Sequence, residues 1–170
     1  MTTIHEQWIA SVMEKYEAGL IRYAMLFTGS EDRARDVVQD TFIKLCRQKR
    51  PDVEQFVKAW LYKVCRNRSL ELLRKENRMM ELNESTLSST SSLTPSPAVQ
   101  AEQSDQIQLA LSLVGMLPEK QQEVVRLKFQ HQLSYKEISE VADISVSNVG
   151  VILHTALKHL RQKMLHAQEV

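Results

Sequence analysis

The chain of 170 residues is long enough for one ordinary domain or two small domains, each with a modest core. It contains 4 Gly and 4 Pro, shows no alternating strand pattern, and has no apolar run near the roughly 20 residues of a membrane span. The net charge of +1 conceals unequal segments, because residues 1–80 carry 15 Lys and Arg against 11 Asp and Glu, residues 81–105 carry 0 against 4, and residues 106–170 carry 7 against 6. The N-terminus lacks the basic and apolar regions of a signal peptide. These features predict an all-α, cytoplasmic protein without membrane insertion.

Two helices are predicted in the first 46 residues. The first runs from about His5 to Phe27, where apolar residues recur at three- and four-residue spacing, and it ends at Gly29. Ser30 is placed to cap the second helix. Its predicted inward stripe comprises Ala34, Val37, Val38, Thr41, Phe42 and Leu45. Asp36, Gln39 and Asp40 lie off this stripe, and a solvated helix face is the simplest interpretation of these three residues alone.

A basic helix is predicted from Phe56 to about Arg78, after a loop at Lys49-Arg50-Pro51-Asp52. Its buried stripe is predicted to comprise Val57, Trp60, Leu61 and Val64. The opposite face is predicted to carry Lys58, Tyr62 and Arg66, with Lys63 beside them. Cations neutralise phosphates and an exposed ring can stack on an unpaired base, so this face is a candidate nucleic-acid surface. A solvated basic helix is the alternative.

A linker is predicted after this helix. Residues 85–97 include nine Ser or Thr in thirteen positions, a composition that cannot bury enough apolar surface to offset the cost of ordering. We therefore predict a flexible linker over residues 81–105, which joins a domain of residues 1–80 to a domain of residues 106–170.

The second domain begins with two predicted helices. The first starts near Asp105, with an inward face of Ile107, Leu111 and Val114. Leu117-Pro118-Glu119 starts the next helix, because proline is pre-organised for a first helical position. The predicted core residues of this helix are Val124, Val125, Leu127 and Phe129.

A helix-turn-helix is predicted between Leu133 and Leu160. Ser134 and Glu137 have the spacing of a capping box, so the first short helix begins at Tyr135. Asp143 stands at the turn, where it tolerates a positive φ, and Ser145 is a second N-cap candidate before a helix that buries Val149. The alternative is a pair of packed helices that contacts no nucleic acid.

No catalytic or cofactor site is predicted. The sequence has no phosphate-binding glycine loop and no His, Cys or carboxylate cluster with metal-ligand spacing. Cys46 and Cys65 lack CxxC spacing, and we expect both to be buried free thiols.

Four segments stand in a fixed order along the chain: D-V-V-Q-D-T-F, F-V-K-A-W-L-Y-K-V-C-R-N-R-S-L-E-L-L-R, L-P-E-K-Q-Q-E-V-V-R-L-K-F and L-S-Y-K-E-I-S-E-V-A-D-I-S-V. Together they resemble the extracytoplasmic-function (ECF) sigma factors of bacterial RNA polymerase, over roughly residues 10–80 and 107–165. The resemblance implies a non-enzymatic subunit without cofactors, which binds core RNA polymerase and directs promoter recognition and transcription initiation.

The resemblance also implies three sets of site residues. The set expected to bind the clamp helices of the polymerase largest subunit is Asp36, Gln39, Asp40 and Phe42. The set expected to open the minus-10 element and hold its non-template strand is Lys58, Tyr62, Lys63, Arg66 and Asn67. The set expected to contact the minus-35 duplex is Lys136, Ser147, Asn148, Val151, His154 and Lys158. The second domain is also expected to pack on the flap of the second-largest subunit.

The last helix departs from the family pattern. Relatives typically show G-T-V-K-S-R-L-H-R-A-R-K-R-L after S-V, whereas here Gly150, Ile152, Thr155 and Leu157 occupy the usual basic positions. Fewer phosphate contacts predict weaker duplex binding than is usual for the family. The apolar replacements are also compatible with a surface for another protein, such as an anti-sigma factor. Two other functions stay open at this point: a dimeric DNA-binding repressor that ignores polymerase, and an adaptor that binds a partner through the apolar last helix.

Overall fold

The computed structural model describes residues 3–83 and 105–168, which fall into two compact units. We call residues 3–83 the N-terminal unit and residues 105–168 the C-terminal unit. Both units consist of helices, and no strand occurs in these two ranges. The predicted all-α fold class is confirmed, whereas residues 84–104, most of the predicted linker, lie outside the described residues.

The N-terminal unit packs three long helices against one another. These are α1 (Ile4–Thr28), α2 (Glu31–Cys46) and α4 (Val57–Leu82). A capping box between Thr3 and Glu6 fixes the start of α1, and Gly29, at φ 64°, terminates it in the left-handed conformation that glycine adopts without strain. The buried residues of α2 are the six predicted ones, so its inward stripe is confirmed.

The connection between α2 and α4 differs from the predicted loop. It contains a single helical turn, α3 (Arg50–Val53), followed by a 3₁₀ turn (Glu54–Phe56). Proline is tolerated in a first helical turn, where its missing N–H has no intrahelical partner. The Arg50 guanidinium contacts Glu54 at 2.6 Å and lies 5.7 Å from the centroid of the Trp8 ring. The segment is therefore held by an ion pair within it and by a contact with α1.

The C-terminal unit contains α5 (Asp105–Gly115), α6 (Glu119–Val125), a π-helical turn (Arg126–Gln130), α7 (Tyr135–Ala142) and α8 (Val146–Gln168). α8 packs against α5, α6 and α7. The predicted core was partly wrong, because Phe129 is 57% exposed and Ile107 is 49% exposed, while Leu113 is the residue of α5 that is buried. Because Phe129 lies in the π-helical turn, its direction differs from the one that regular helical spacing predicts.

The helix-turn-helix has the predicted geometry. The Ser134 Oγ accepts from the Glu137 N–H at 3.1 Å, and Glu137 Oε2 accepts from the Ser134 N–H at 2.7 Å. Asp143 has φ 55°, and the Ser139 hydroxyl donates to the Ile144 carbonyl across the turn at 2.5 Å. Ser145 Oγ accepts from the Asn148 N–H, and Val149 is fully buried. These contacts fix the angle at which α8 leaves the turn.

None of the described helices is both long and apolar enough to span a membrane.

Candidate nucleic-acid interface

The tyrosine that was expected on the outer face of α4 is buried. Tyr62 is 3% exposed, and its ring centroid lies 5.3 Å from that of Tyr23 on α1. Burial raises the pKa of the Tyr62 hydroxyl well above its usual value. The predicted exposure of Tyr62 was therefore wrong, and in this structure its ring is not available to stack on a base.

The inward face of α4 is offset from the predicted one. Its buried residues are Ala59, Leu61, Tyr62, Cys65 and Ser69. Val57, Trp60 and Val64, which were predicted to be buried, are instead partly exposed. Small residues at three of the buried positions allow α4 to approach its neighbours closely. The larger Trp60 lies at the margin of the packed face.

The outer face of α4 carries Trp60, Lys63 and Asn67, which follow the three- and four-residue spacing of one helix face. Lys63 and Asn67 are exposed, and Trp60 is partly exposed. Lys58 and Arg66 are half-buried at the sides of this face. The outer face of α4 thus presents an aromatic ring among cations, as predicted. The ring is that of Trp60, however, which was predicted to lie in the core.

The residues of α2 that are expected to bind polymerase do not all lie on one surface. Asp36 and Gln39 are exposed and line an open groove of about 450 Å³ between α1 and α2, against which the buried Phe42 also lies. The other apolar residues of this groove are Met13, Ile21, Val38 and Ile43. Asp40 instead faces α4, where its Oδ2 accepts from the Arg68 Nε–H at 2.8 Å.

The predicted minus-35 residues lie on the exposed surface of the helix-turn-helix. Ser147, Val151, His154 and Lys158 follow one another at three- and four-residue spacing along α8, and all four are exposed. Asn148, beside them in the first turn of α8, is also exposed. Lys136 is exposed in the first turn of α7. The structure therefore brings together the four residues on one face of α8 and places Asn148 at its edge.

A second cation, which was not among the predicted site residues, lies near the start of α7. Lys128 Nζ is 5.3 Å from the centroid of the Tyr135 ring, which is 42% exposed. A Cβ at Gly150 would lie 3.7 Å from that ring, so the ring rests over the one position of α8 that has no side chain. Lys128 lies in the π-helical turn, and regular helical spacing does not predict its approach to Tyr135.

The two cysteines have different environments. Cys65 is fully buried, and burial raises the pKa of its thiol to about 12. Cys46 is exposed, so its predicted burial was wrong. It occupies the last position of α2, where the packed face ends. Within the part of the chain that the structure describes, no group of three or more His, Cys, Asp or Glu could hold a metal ion.

Comparisons with known proteins match both units. Residues 12–79 match the family Sigma-70 region 2, and residues 107–160 match the family Sigma-70, region 4. The ECF RNA polymerase sigma factor SigM of Bacillus subtilis (strain 168) is 26% identical over 154 residues, which cover 90% of this chain and 93% of SigM. The ECF RNA polymerase sigma factor SigW of the same organism is 24% identical over 165 residues, covering 91% of this chain and 88% of SigW.

A solved structure shares the fold. It is the sigma factor RpoE of Bartonella quintana, in a co-crystal with the anti-sigma factor NepR. It has a TM-score of 0.65 and 20% sequence identity, and it covers 90% of this chain and 94% of that chain. Within this chain, the match to Sigma-70 region 2 lies in the N-terminal unit and the match to Sigma-70, region 4 lies in the C-terminal unit.

Proposed function

The chain belongs to the sigma-70 family as an ECF sigma factor, and from this premise we propose how its two units divide the work of binding core RNA polymerase and directing promoter recognition. The domain predicted over residues 1–80, which corresponds to the N-terminal unit, docks on polymerase and holds the melted minus-10 strand. The domain predicted over residues 106–170, which corresponds to the C-terminal unit, reads the minus-35 duplex. Neither step makes or breaks a covalent bond, so the chain acts without catalysis of its own, and it acts in the cytoplasm, where polymerase and promoter DNA meet.

This division of function is supported by the exposed face of α8. Four side chains that are expected to contact DNA form one row on this face, which follows the turn of the helix-turn-helix. A recognition helix enters the major groove with its first residues against base edges. There the Asn148 amide can pair with adenine and the Val151 methyl groups can contact the methyl group of thymine. Lys136 and the neighbouring Lys128 would contact phosphates at the start of α7, which partly offsets the shortage of cations on α8.

In the N-terminal unit, the outer face of α4 supplies what single-strand capture requires. The partly exposed ring of Trp60 can stack on an unpaired base, while Lys63 neutralises phosphate and Asn67 can form hydrogen bonds with a base edge. Binding the single strand better than the duplex shifts the equilibrium toward melted DNA without any chemical step. Lys58 and Arg66 flank this face and support the backbone of the strand.

Docking on polymerase is assigned to the groove between α1 and α2 and to Asp40 beside it. The exposed polar pair Asp36 and Gln39 would contact polar groups of the clamp helices, and the apolar floor around Phe42 would bury side chains of the partner. An anti-sigma factor is a second expected partner, because the solved relative was crystallised with one.

Association with core polymerase tests this proposal directly. The wild-type chain is expected to co-elute with core polymerase in size-exclusion chromatography, and Asp36→Lys is expected to weaken the complex because it reverses a charge on the docking surface. Asp52→Lys is the matched control, since it makes the same change at an exposed position on α3. A wild-type chain that never associates with core polymerase would rule out the proposed function.

A further inference from the structure

Asp40 differs from the other docking residues in having a fixed side-chain partner on another helix. Its Oδ2 accepts from Arg68 Nε–H at 2.8 Å, and this contact joins α2 to α4 across 28 residues of sequence. Arg68 also contacts Glu71 Oε2 through Nη1 at 3.0 Å, and Glu71 in turn lies 3.9 Å from Lys75. The guanidinium therefore bridges two carboxylates on two helices.

This bridge restricts the Asp40 carboxylate to one orientation. A guanidinium presents its N–H groups in a rigid planar fork, so fixing Nη1 on Glu71 also fixes the direction in which Nε–H points. The hydrogen bonds that Arg68 donates to Asp40 and to Glu71 raise the pKa of Arg68, and the bond to Asp40 has the larger effect. The bond from Arg68 lowers the pKa of Glu71. The bond to Asp40 uses Oδ2 rather than Oδ1.

The bridge also leaves Asp40 accessible to a partner. The Asp40 side chain remains 41% exposed although it is paired with Arg68. A cationic or N–H group of a partner can therefore approach Asp40 without displacing Arg68.

We propose that Arg68 is a positioning residue for polymerase docking, which holds the Asp40 carboxylate in the orientation that core polymerase binds. This inference rests on the proposed function, because it assigns a role through Asp40 rather than a new partner. It also ties the docking surface on α2 to α4, the helix to which single-strand capture is assigned. Arg68 lies one residue after Asn67, so both assignments meet on one helical turn.

A second ion pair provides a matched control. Arg33 Nη1 contacts Glu76 Oε1 at 2.6 Å, so this pair also joins α2 to α4, but it involves no docking residue. Both pairs are substantially exposed, and exposed pairs contribute little to folding stability. Arg68→Gln and Arg33→Gln should therefore shift the urea unfolding midpoint to the same small extent.

The test measures the dissociation constant of the full chain for core polymerase in the absence of DNA, so that no contact of Arg68 with phosphate contributes. Arg68→Gln is expected to weaken binding by about fivefold, which is the scale of losing one oriented, partly exposed charge pair. Arg68→Lys should retain part of the affinity, because an ammonium pairs with Asp40 but cannot hold both carboxylates in one plane. Arg33→Gln should leave the affinity unchanged.

A double-mutant cycle separates positioning from direct contact. In the Asp40→Asn background, Arg68→Gln is expected to cause no further loss, because the carboxylate that Arg68 orients is already absent. A loss that persists in full would mean that Arg68 contacts polymerase itself. Equal affinities for Arg68→Gln and wild type, or tighter binding by the variant, would also overturn the inference while leaving docking through Asp36 intact. A wild-type chain that does not bind polymerase would overturn the proposed function as well.

Discussion

The two DNA-facing helices build their outer faces differently. On α4, Trp60 is accompanied by Lys63 and Asn67, in a segment that carries seven basic residues between residues 58 and 78. On α8, the row from Ser147 to Lys158 presents a hydroxyl, two methyl groups, an imidazole and a single ammonium. The outer face of α4 therefore has more of the cations that attract phosphate than the row on α8, which offers groups suited to base edges.

The largest expected effect concerns which aromatic side chain of α4 supports the fold. Tyr62→Ala should lower the free energy of unfolding by about 3–5 kcal/mol, because it removes a buried ring and leaves a cavity beside Tyr23. Trp60→Ala should lower the free energy of unfolding clearly less, since Trp60 is only partly buried. Urea denaturation of both variants measures the difference. Equal destabilisation would contradict the inward face assigned to α4.

The next largest effect concerns capture of the melted strand. Trp60→Ala should weaken binding of the polymerase complex to a single-stranded minus-10 oligonucleotide by about tenfold or more, because stacking on an aromatic ring contributes about 1–3 kcal/mol per base. Trp8→Ala, the same substitution on α1, serves as the control. Fluorescence anisotropy measures both affinities, and identical losses would remove Trp60 from the DNA face.

Base readout by α8 should produce an effect of similar or smaller size. Asn148→Ala is expected to reduce discrimination between the preferred minus-35 duplex and a single-base variant by about tenfold, the scale of one bidentate contact to a base. The absolute affinity for unrelated duplex should change little. If affinity falls equally for all sequences, Asn148 binds the backbone rather than a base.

The smallest expected effect comes from restoring one cation to α8. Thr155→Arg should tighten duplex binding by a few-fold and increase the slope of log affinity against log salt by about one. Thr155→Gln is the uncharged control of comparable length. Position 155 is a better choice than position 150, because a side chain at Gly150 would meet the Tyr135 ring. An unchanged salt slope would show that this side of α8 does not approach phosphate.

The comparison between the two helices also explains what could be predicted from the sequence. The capping residues Ser134 and Glu137 and the turn residue Asp143 determine where α7 begins and ends, so counting residues predicted the start of α8 and its buried Val149, whereas the residues of its exposed row came from the family resemblance. α4 has no side-chain cap, and apolar residues occur on more than one side of it. Counting alone therefore could not choose between Trp60 and Tyr62 as the outward ring.

Contacts between distant segments of the chain could not be predicted from the sequence, for a different reason. The Asp40–Arg68 bond depends on how α2 and α4 are rotated against each other, and periodicity within one helix does not specify that rotation. The approach of Lys128 to Tyr135 depends on a π-helical turn, which the regular spacing of 3.6 residues does not predict. Both contacts nevertheless involve residues next to predicted sites.

Run-off transcription with core polymerase and a promoter library tests directly whether this chain directs promoter recognition. We expect new start sites that appear only when this chain is present, with shared sequence elements upstream that correspond to the minus-10 and minus-35 positions. Asp36→Lys should reduce all of these transcripts together, because it acts before any promoter is chosen. A chain that binds promoter DNA but yields no new start site with core polymerase would contradict the account.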